Sequence, residues 1–527
     1  MNAPPTTQTI PQPIPAEPGR RALRMAVSNW PFLLLLAAGI ALRVVEAFAY
    51  RPALPFRNND AYAYLYRSIT MSPVDSFHPF LYSVLIKPLI LTGDVTWVTL
   101  VQHLAAVAMA VLVYLLLSRL GLGPVAAALS AAPVLLDGFQ LDIEHQILSE
   151  ALFQLFIVSA LVILAWNVRP RIPAVAAVGI LIGLSSLIRF AGLVVILAAV
   201  AYGLLRRMGW IRLAVLVGGF LLTLTVYGLW FQSQTGTFGI TNRNGFFLYG
   251  RVVAFADCRQ VTVPDDLRVF CPPHPGQTSH GGVFRSGLPD RIRKDPAFNA
   301  KALEFSRRMI LAKPGAYVSA VLADFTKYFR VGQPSDSKMW RFPAILTNRD
   351  QRRVPPGIDV HFRLNTGLAG FLRRYQSLLW VYGPLLGVLL FLGVAGGGLG
   401  LVRGGLGTLA PEAWLFTLAA VGLLIFAPVF AVYHFRYVLP AIPLTGPAAV
   451  LGVAAVMARR RPDKKDDVVP GGSAPASEAG LRPSASPGEP ENGDPTNLHR
   501  FDSQHPTHQR HRPGRDVPED DGPNVVG

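Results

Sequence analysis

The feature that most constrains this chain is the recurrence of uncharged apolar runs, each about 16–23 residues long, along most of its length. Runs of that length match a hydrocarbon core about 30 Å thick. Their regular repetition excludes a single anchor. A water-soluble fold would need many wholly buried helices with nothing to cover them. Charged residues make up only 15% of the 527 positions, well below the roughly 25% of soluble domains. The chain is therefore expected to be an all-α polytopic membrane protein with about ten transmembrane helices. Spans are expected near Pro31–Ala49, Trp97–Leu117, Leu122–Leu136, Ile147–Trp166, Ala174–Ile188, Phe190–Leu205, Ile211–Phe231, Leu378–Leu401, Trp414–Val432 and Val438–Met457.

One joint decides the count. As a single helix, Ile172–Leu205 would be about 50 Å long, too long for one crossing. Basic residues flank it at both ends, so it is read as two short crossings with Arg189 at the turn. The basic residues then orient the whole chain. Arg20, Arg21, Arg24, Arg119, Arg169, Arg171, Arg206, Arg207, Arg212, Arg403 and the cluster Arg459–Lys465 all fall on one side of this arrangement. That side is cytoplasmic by the positive-inside rule, which places both termini inside and the protein in the plasma membrane. The net charge of +17 is accounted for by these helix-end clusters and anionic lipid, so no nucleic-acid partner is expected. The Pro-rich stretch of about 28 residues before the first run lacks the pattern of a cleavable signal.

The expected organisation is a cytoplasmic tail (1–28), a transmembrane module of seven spans with its outer loops (29–231), and an exoplasmic segment (232–376). Three further spans (377–458) and a cytoplasmic tail (459–527) follow. The exoplasmic segment is expected to be mixed and partly irregular, with helices at Asn299–Ala312 and Ala316–Phe329. It holds the chain's two cysteines, Cys258 and Cys271. Outside the cytoplasm these are expected to form a disulfide, two free thiols being the alternative. The last tail is rich in Pro, Gly, Ser, Asp and His, a composition expected to be disordered. Its His499, His505, His508 and His511 are read as solvated residues rather than metal ligands.

Charged residues on the outer side carry the chemistry. Asp60 opens an aromatic-rich amphipathic segment in the first loop, where it can cap a helix or act as a base. His78-Pro79-Phe80-Leu81-Tyr82 follows, then Lys87 in a second amphipathic stretch. The second outer joint carries Asp142 and Glu144, hard oxygen donors that can hold a divalent cation together with Asp60, or simply form an exposed acidic loop. Glu150 falls just inside span four, where a buried acid needs a partner or a function. Arg189, and Arg436 in His434-Phe435-Arg436-Tyr437, place two guanidinium groups at one membrane level, which suits a phosphate. Arg43 and Glu46, three apart in span one, are expected to pair with each other.

The order of these motifs resembles a known family. A loop-one Asp is followed by His-Pro-x-Leu-Tyr, then Ser-Glu-Ala-Leu opening span four. An Arg follows Gly-Leu-Ser-Ser-Leu-Ile, and Arg-Tyr-x-x-Pro-x-x-Pro opens the last span. The sequence is similar in this to the GT-C superfamily of polytopic glycosyltransferases, over about residues 29–457. Members include protein O-mannosyltransferases, lipid A aminoarabinose transferases and actinobacterial arabinofuranosyl- and mannosyltransferases. The resemblance implies an inverting glycosyltransferase that moves a sugar from a polyprenyl-phosphate donor to an extracytoplasmic acceptor in the envelope. That acceptor would be a glycan, a lipid or a protein. It casts Asp60 as the base, with Arg189, Arg436, Lys87, His78, His434 and Glu150 around the donor phosphate. The paired acidic motif of some members is absent, since Asn59 and Ala61 flank Asp60, so a divalent metal is an open question. A lipid or glycolipid transporter is the alternative, with Glu150 and Arg189 lining its path.

Overall fold

The structure is a computed structural model. It describes residues 28–56, 59–73, 77–272, 288, 292, 295, 297–332, 335–347, 354–358, 360–381, 383–405 and 408–457. The expectations for the two tails, including the four tail histidines, lie outside the described residues.

Among those residues the chain is helical almost throughout. The helices are α1 (Trp30–Ala49), α2 (Asn59–Thr70), α3 (Leu81–Ile86), α4 (Thr96–Arg119), α5 (Pro124–Leu136) and α6 (Gly138–Glu144). Next come α7 (Glu150–Ala165), α8 (Ile172–Ile188), α9 (Val195–Leu205), α10 (Trp210–Thr235), α11 (Asn244–Val252), α12 (Phe298–Ala312) and α13 (Pro314–Thr326). The last four are α14 (Thr366–Leu378), α15 (Gly383–Gly404), α16 (Ala410–Phe430) and α17 (Ile442–Met457). Proline in the first turn starts α1, α5, α8, α13 and α16, where its missing N–H removes no helical hydrogen bond.

This is a multi-pass membrane protein, but the span count differs from expectation. Among the described residues, six helices are long and apolar enough to cross a membrane: α1, α4, α10, α15, α16 and the continuous Phe435–Met457. Counting α5 and α6, bent by 55°, as one span gives seven by this measure. The apolar helices α7 and α8 have 16 and 17 residues. At 1.5 Å per residue they rise about 24–26 Å, short of a full hydrocarbon core. The long run does break at Arg189: α8 ends at Ile188, Arg189 is extended, and a 3₁₀ turn (Phe190–Val194) leads into α9.

The bundle packs through small residues. Helix α15 lies against α17, α10 against α8, and α5 against α17, α4 and α1. A Cβ on Gly396 of α15 would fall 2.3 Å from the backbone of Gly452 in α17, so only glycine permits that approach. Outward faces stay apolar, with Leu34 64%, Leu222 61% and Phe391 68% exposed, as a lipid solvent requires.

Two devices set the outer ends of the helices. Strand β1 (Tyr50–Arg51), directly after α1, pairs antiparallel with β2 (Arg363–Leu364), directly before α14. Asp137, between α5 and α6, accepts hydrogen bonds from Phe139 N and Gln140 N on one oxygen and from Val381 N on the other. The segment between α10 and α14 has its own small core of Tyr249, Phe270, Phe298, Phe305 and Met309, beside a Cys258–Cys271 disulfide. It is tied to the bundle by Asp324 of α13, which pairs with Arg251 and Lys327 and accepts a hydrogen bond from Tyr433 N at 3.1 Å.

Candidate active site

Five residues singled out in the sequence meet at the ends of four helices. Asp60 stands in the first turn of α2, and the segment before α3 brings His78 to it, Nε2 lying 3.2 Å from Asp60 Oδ1. Glu150 is the first residue of α7. Its Oε1 accepts from Arg189 Nη1 at 2.7 Å and also from Arg436 Nε. Arg436 Nη1 donates in turn to Asp60 Oδ2. The chain of charge is therefore His78–Asp60–Arg436–Glu150–Arg189, assembled across 376 residues of sequence between Asp60 and Arg436.

Each cation is held in place. Arg436 lies on a 3₁₀ helix (Phe435–Ala441) whose N-cap, His434, accepts the Arg436 N–H on Nδ1 at 3.2 Å. The guanidinium stands 5.2 Å from the centre of the Trp340 ring. Arg189 Nη1 also reaches Ser149 Oγ at 3.2 Å, and Ser149 Oγ is 3.1 Å from Tyr64 OH. Tyr64 packs edge-on to Tyr82 and 5.4 Å from the His78 ring.

The cluster is deep at one end and open at the other. Side-chain exposure is 0% at Glu150 and 6% at Arg436, but 28% at Asp60 and 24% at His78. Burial disfavours the Asp60 charge. His78 and Arg436 outweigh it and hold the carboxyl well below the usual carboxylate range. Two buried atoms have no hydrogen-bond partner: Arg436 Nη2, a donor, and Glu150 Oε2, an acceptor. An oxyanion placed at Arg436 would satisfy that donor, as guanidinium groups do with phosphate.

Other expected residues go elsewhere. Lys87 lies on a 3₁₀ turn (Lys87–Ile90) after α3 and makes no ion pair with the cluster. Asp142 and Glu144 do not form a cation site with Asp60. Both are buried in α6, because that helix turns inward instead of running along the surface. Glu144 takes two hydrogen bonds from Arg43, each 2.9 Å, and Asp142 accepts one from Gln146. Arg43 thus pairs with Glu144, not with Glu46 one turn away. No cation geometry exists at Asp60 among the described residues, and no chemical step is assigned to a metal there.

Sequence reasoning did not single out Ser149, Tyr64 or Trp340. It also passed over His103 and His145, which form a second buried polar cluster with Glu46. The signal for that cluster was Gln102-His103 inside the otherwise apolar α4, since polar groups at that depth need partners.

No protein-family model matches the sequence, and no curated protein is similar to it. Two solved structures are similar in chain path. One is the oligosaccharyltransferase of Archaeoglobus fulgidus in its apo form, 14% identical, matched over 81% of this chain and 50% of that one, with a TM-score of 0.39. The other is AglB, the oligosaccharyltransferase of the same organism, in complex with an inhibitory peptide and a dolichol-phosphate. It is 15% identical over the same shares, with a TM-score of 0.38. This chain spans about half the length of those proteins.

Proposed function

We propose that the protein is an inverting glycosyltransferase that takes a sugar from a polyprenyl-phosphate donor and passes it to an extracytoplasmic hydroxyl acceptor. The observation that carries the reading is a buried pair of guanidinium groups, joined by Glu150, with one unpartnered Arg436 N–H beside a half-exposed carboxylate. This reading places the site on the outer face of the plasma membrane and both termini inside, as the basic joints require.

The chemistry follows from the arrangement. The acceptor oxygen attacks the anomeric carbon while Asp60 takes its proton. The bond from that carbon to the phosphate oxygen breaks with inversion, and polyprenyl phosphate leaves carrying one more negative charge. Arg436 and Arg189 face that charge in a site shielded from water, where fixed cations act most strongly. Glu150 holds the two like charges side by side without reaching the substrate.

Without donor, Asp60 shares Arg436 and is a weak base. A donor phosphate on Arg436 competes with Asp60 for the guanidinium. Losing that partner raises the carboxyl toward the range in which it accepts a proton. Donor binding and activation of the base are then one event.

The test is transfer from a radiolabelled polyprenyl-phosphate sugar by purified protein in detergent, with envelope extract as acceptor. Labelled product of inverted configuration is expected. Movement of intact labelled lipid across vesicles, with no cleavage of its sugar, would instead establish a transporter.

A further inference from the structure

Glu46 on α1, His103 on α4 and His145 just after α6 point at one another in the bundle interior, each offering one ligand atom within 4.8 Å of the others. His103 Nε2 is 2.9 Å from His145 Nδ1 and 3.9 Å from Glu46 Oε2. All three residues are at most 6% exposed.

The outer hydrogen bonds fix where the ring protons are. His103 Nδ1 lies 3.2 Å from Glu144 Oε2, and His145 Nε2 lies 2.6 Å from the Tyr50 carbonyl. Both Glu144 oxygens accept from the forked Arg43 guanidinium, so Oε2 faces His103 as an acceptor. A carboxylate and a carbonyl only accept, so each neutral ring carries its proton on that outer nitrogen. The two inner nitrogens therefore face each other as lone pairs. Both oxygens of Glu46 are buried without a hydrogen-bond partner. Arg43 cannot help: its N–H groups all go to Glu144 and to the Gly39, Leu135 and Val134 carbonyls. Three electron-pair donors thus converge with no donor of a proton among them, an arrangement that is costly to bury unless a cation joins it.

We propose that Glu46, His103 and His145 bind a zinc ion. Two imidazoles and a carboxylate are a zinc donor set, and three protein ligands leave one position for water. Tetrahedral zinc sets its ligand atoms about 3.3 Å apart, between the two separations present here. The outer partners match what metal-binding histidines use, a carboxylate behind one ring and a carbonyl behind the other. The ion would join α1, α4 and the loop from Glu144 to Ser149. Glu46 lies on the segment that leads to Asp60, and His145 on the one that leads to Glu150. Its role is to clamp the two strands of chain that deliver the site's carboxylates. The inference rests on these contacts and not on the glycosyltransferase reading.

The experiment uses the full chain purified in detergent, without chelator and with an affinity tag free of histidine. Elemental analysis is expected to give about one zinc per chain. X-ray absorption at the zinc edge is expected to show imidazole scattering. Glu46→Gln and His103→Gln are expected to lower retained zinc at least tenfold while the protein stays monodisperse, and Asp60→Asn to leave it unchanged. Protein that holds no zinc as purified and takes none up on dialysis against Zn²⁺ would overturn the proposal, leaving a shared proton between the rings. So would folded variants that keep the full zinc content. If the variants do not fold, a zinc edge without imidazole scattering in the native protein overturns it equally.

Discussion

The Asp60 and Glu46 clusters are built from the same residue types in the same bundle, yet they leave different atoms over. At Asp60 two arginines face two carboxylates, leaving one spare donor at Arg436 and one spare acceptor at Glu150. At Glu46 the one arginine is fully engaged and the spare atoms are all acceptors. In the readings proposed above, the first cluster takes an anion at its spare Arg436 donor and the second takes a cation. The first opens outward through Asp60 and His78, as a substrate needs, and the second is sealed, as a structural ion needs. Which buried atoms are left over, and whether the cluster opens outward, separates the two clusters better than the number of polar groups in each.

The largest expected effect breaks the first cluster at its open end. Asp60→Asn keeps size and helix capping but cannot take a proton. Turnover in the transfer assay should fall at least about a hundredfold, while donor affinity should hold or rise because Asp60 no longer competes for Arg436. Turnover within a few-fold of the parent in a well-folded variant would move the base elsewhere.

Glu150→Gln breaks the deep end. It leaves Arg189 without its carboxylate beside Arg436, which keeps only Asp60. Removing one member of a buried ionic set costs about 3–5 kcal/mol, so the variant should melt well below the parent in detergent. An unchanged melting temperature would mean that the arginines separate freely and that Glu150 does not hold them.

Chelation sharpens the contrast. A strong zinc chelator should lower the melting temperature of the parent by several degrees. It should have no further effect on Glu46→Gln, which has already lost the site. Equal shifts in both proteins would show that the chelator acts somewhere else.

The smallest effect is in pH. The Asp60 carboxyl is held below its unfolded value, so its contribution to stability is fully present above the unfolded value, about 3.9. It is lost only as pH falls through the lower, folded value. The stability difference between the parent and Asp60→Asn should therefore be constant from pH 8 to pH 5 and shrink below about pH 4. A difference that shrinks already near pH 6 would mean that Asp60 is not ion-paired in solution.

The members of the open cluster were legible in the sequence because a charge bordering an apolar run is conspicuous. Glu150, Arg189 and Arg436 stood out for that reason, and Asp60 and His78 through the motifs of the first loop. Their pairing was not legible, since Arg436 lies 286 residues from Glu150. The sealed cluster misled for a related reason. Spacing rules count neighbours on one helix, which favoured Arg43 with Glu46, whereas α6 folds inward and offers Arg43 a forked partner 101 residues away. The same inward turn buries Asp142 and Glu144, which in a straight loop would face water. Six or seven of the ten expected spans are long helices among the described residues, and the others are shorter apolar helices, because apolar runs do not reveal where a helix starts and stops.

The grip of Asp324 on the Tyr433 amide has a consequence for protein engineering. Tyr433 is three positions before Arg436, so the segment that carries Asp324 is not a cassette. If the proposed reading holds, exchanging it between homologues to change acceptor choice would release the loop that carries Arg436, and the chimera would lose transfer for a reason unrelated to acceptors. A transplant that respects this seam keeps Arg251, Asp324 and Lys327 with the host and takes only what lies between Val252 and α13.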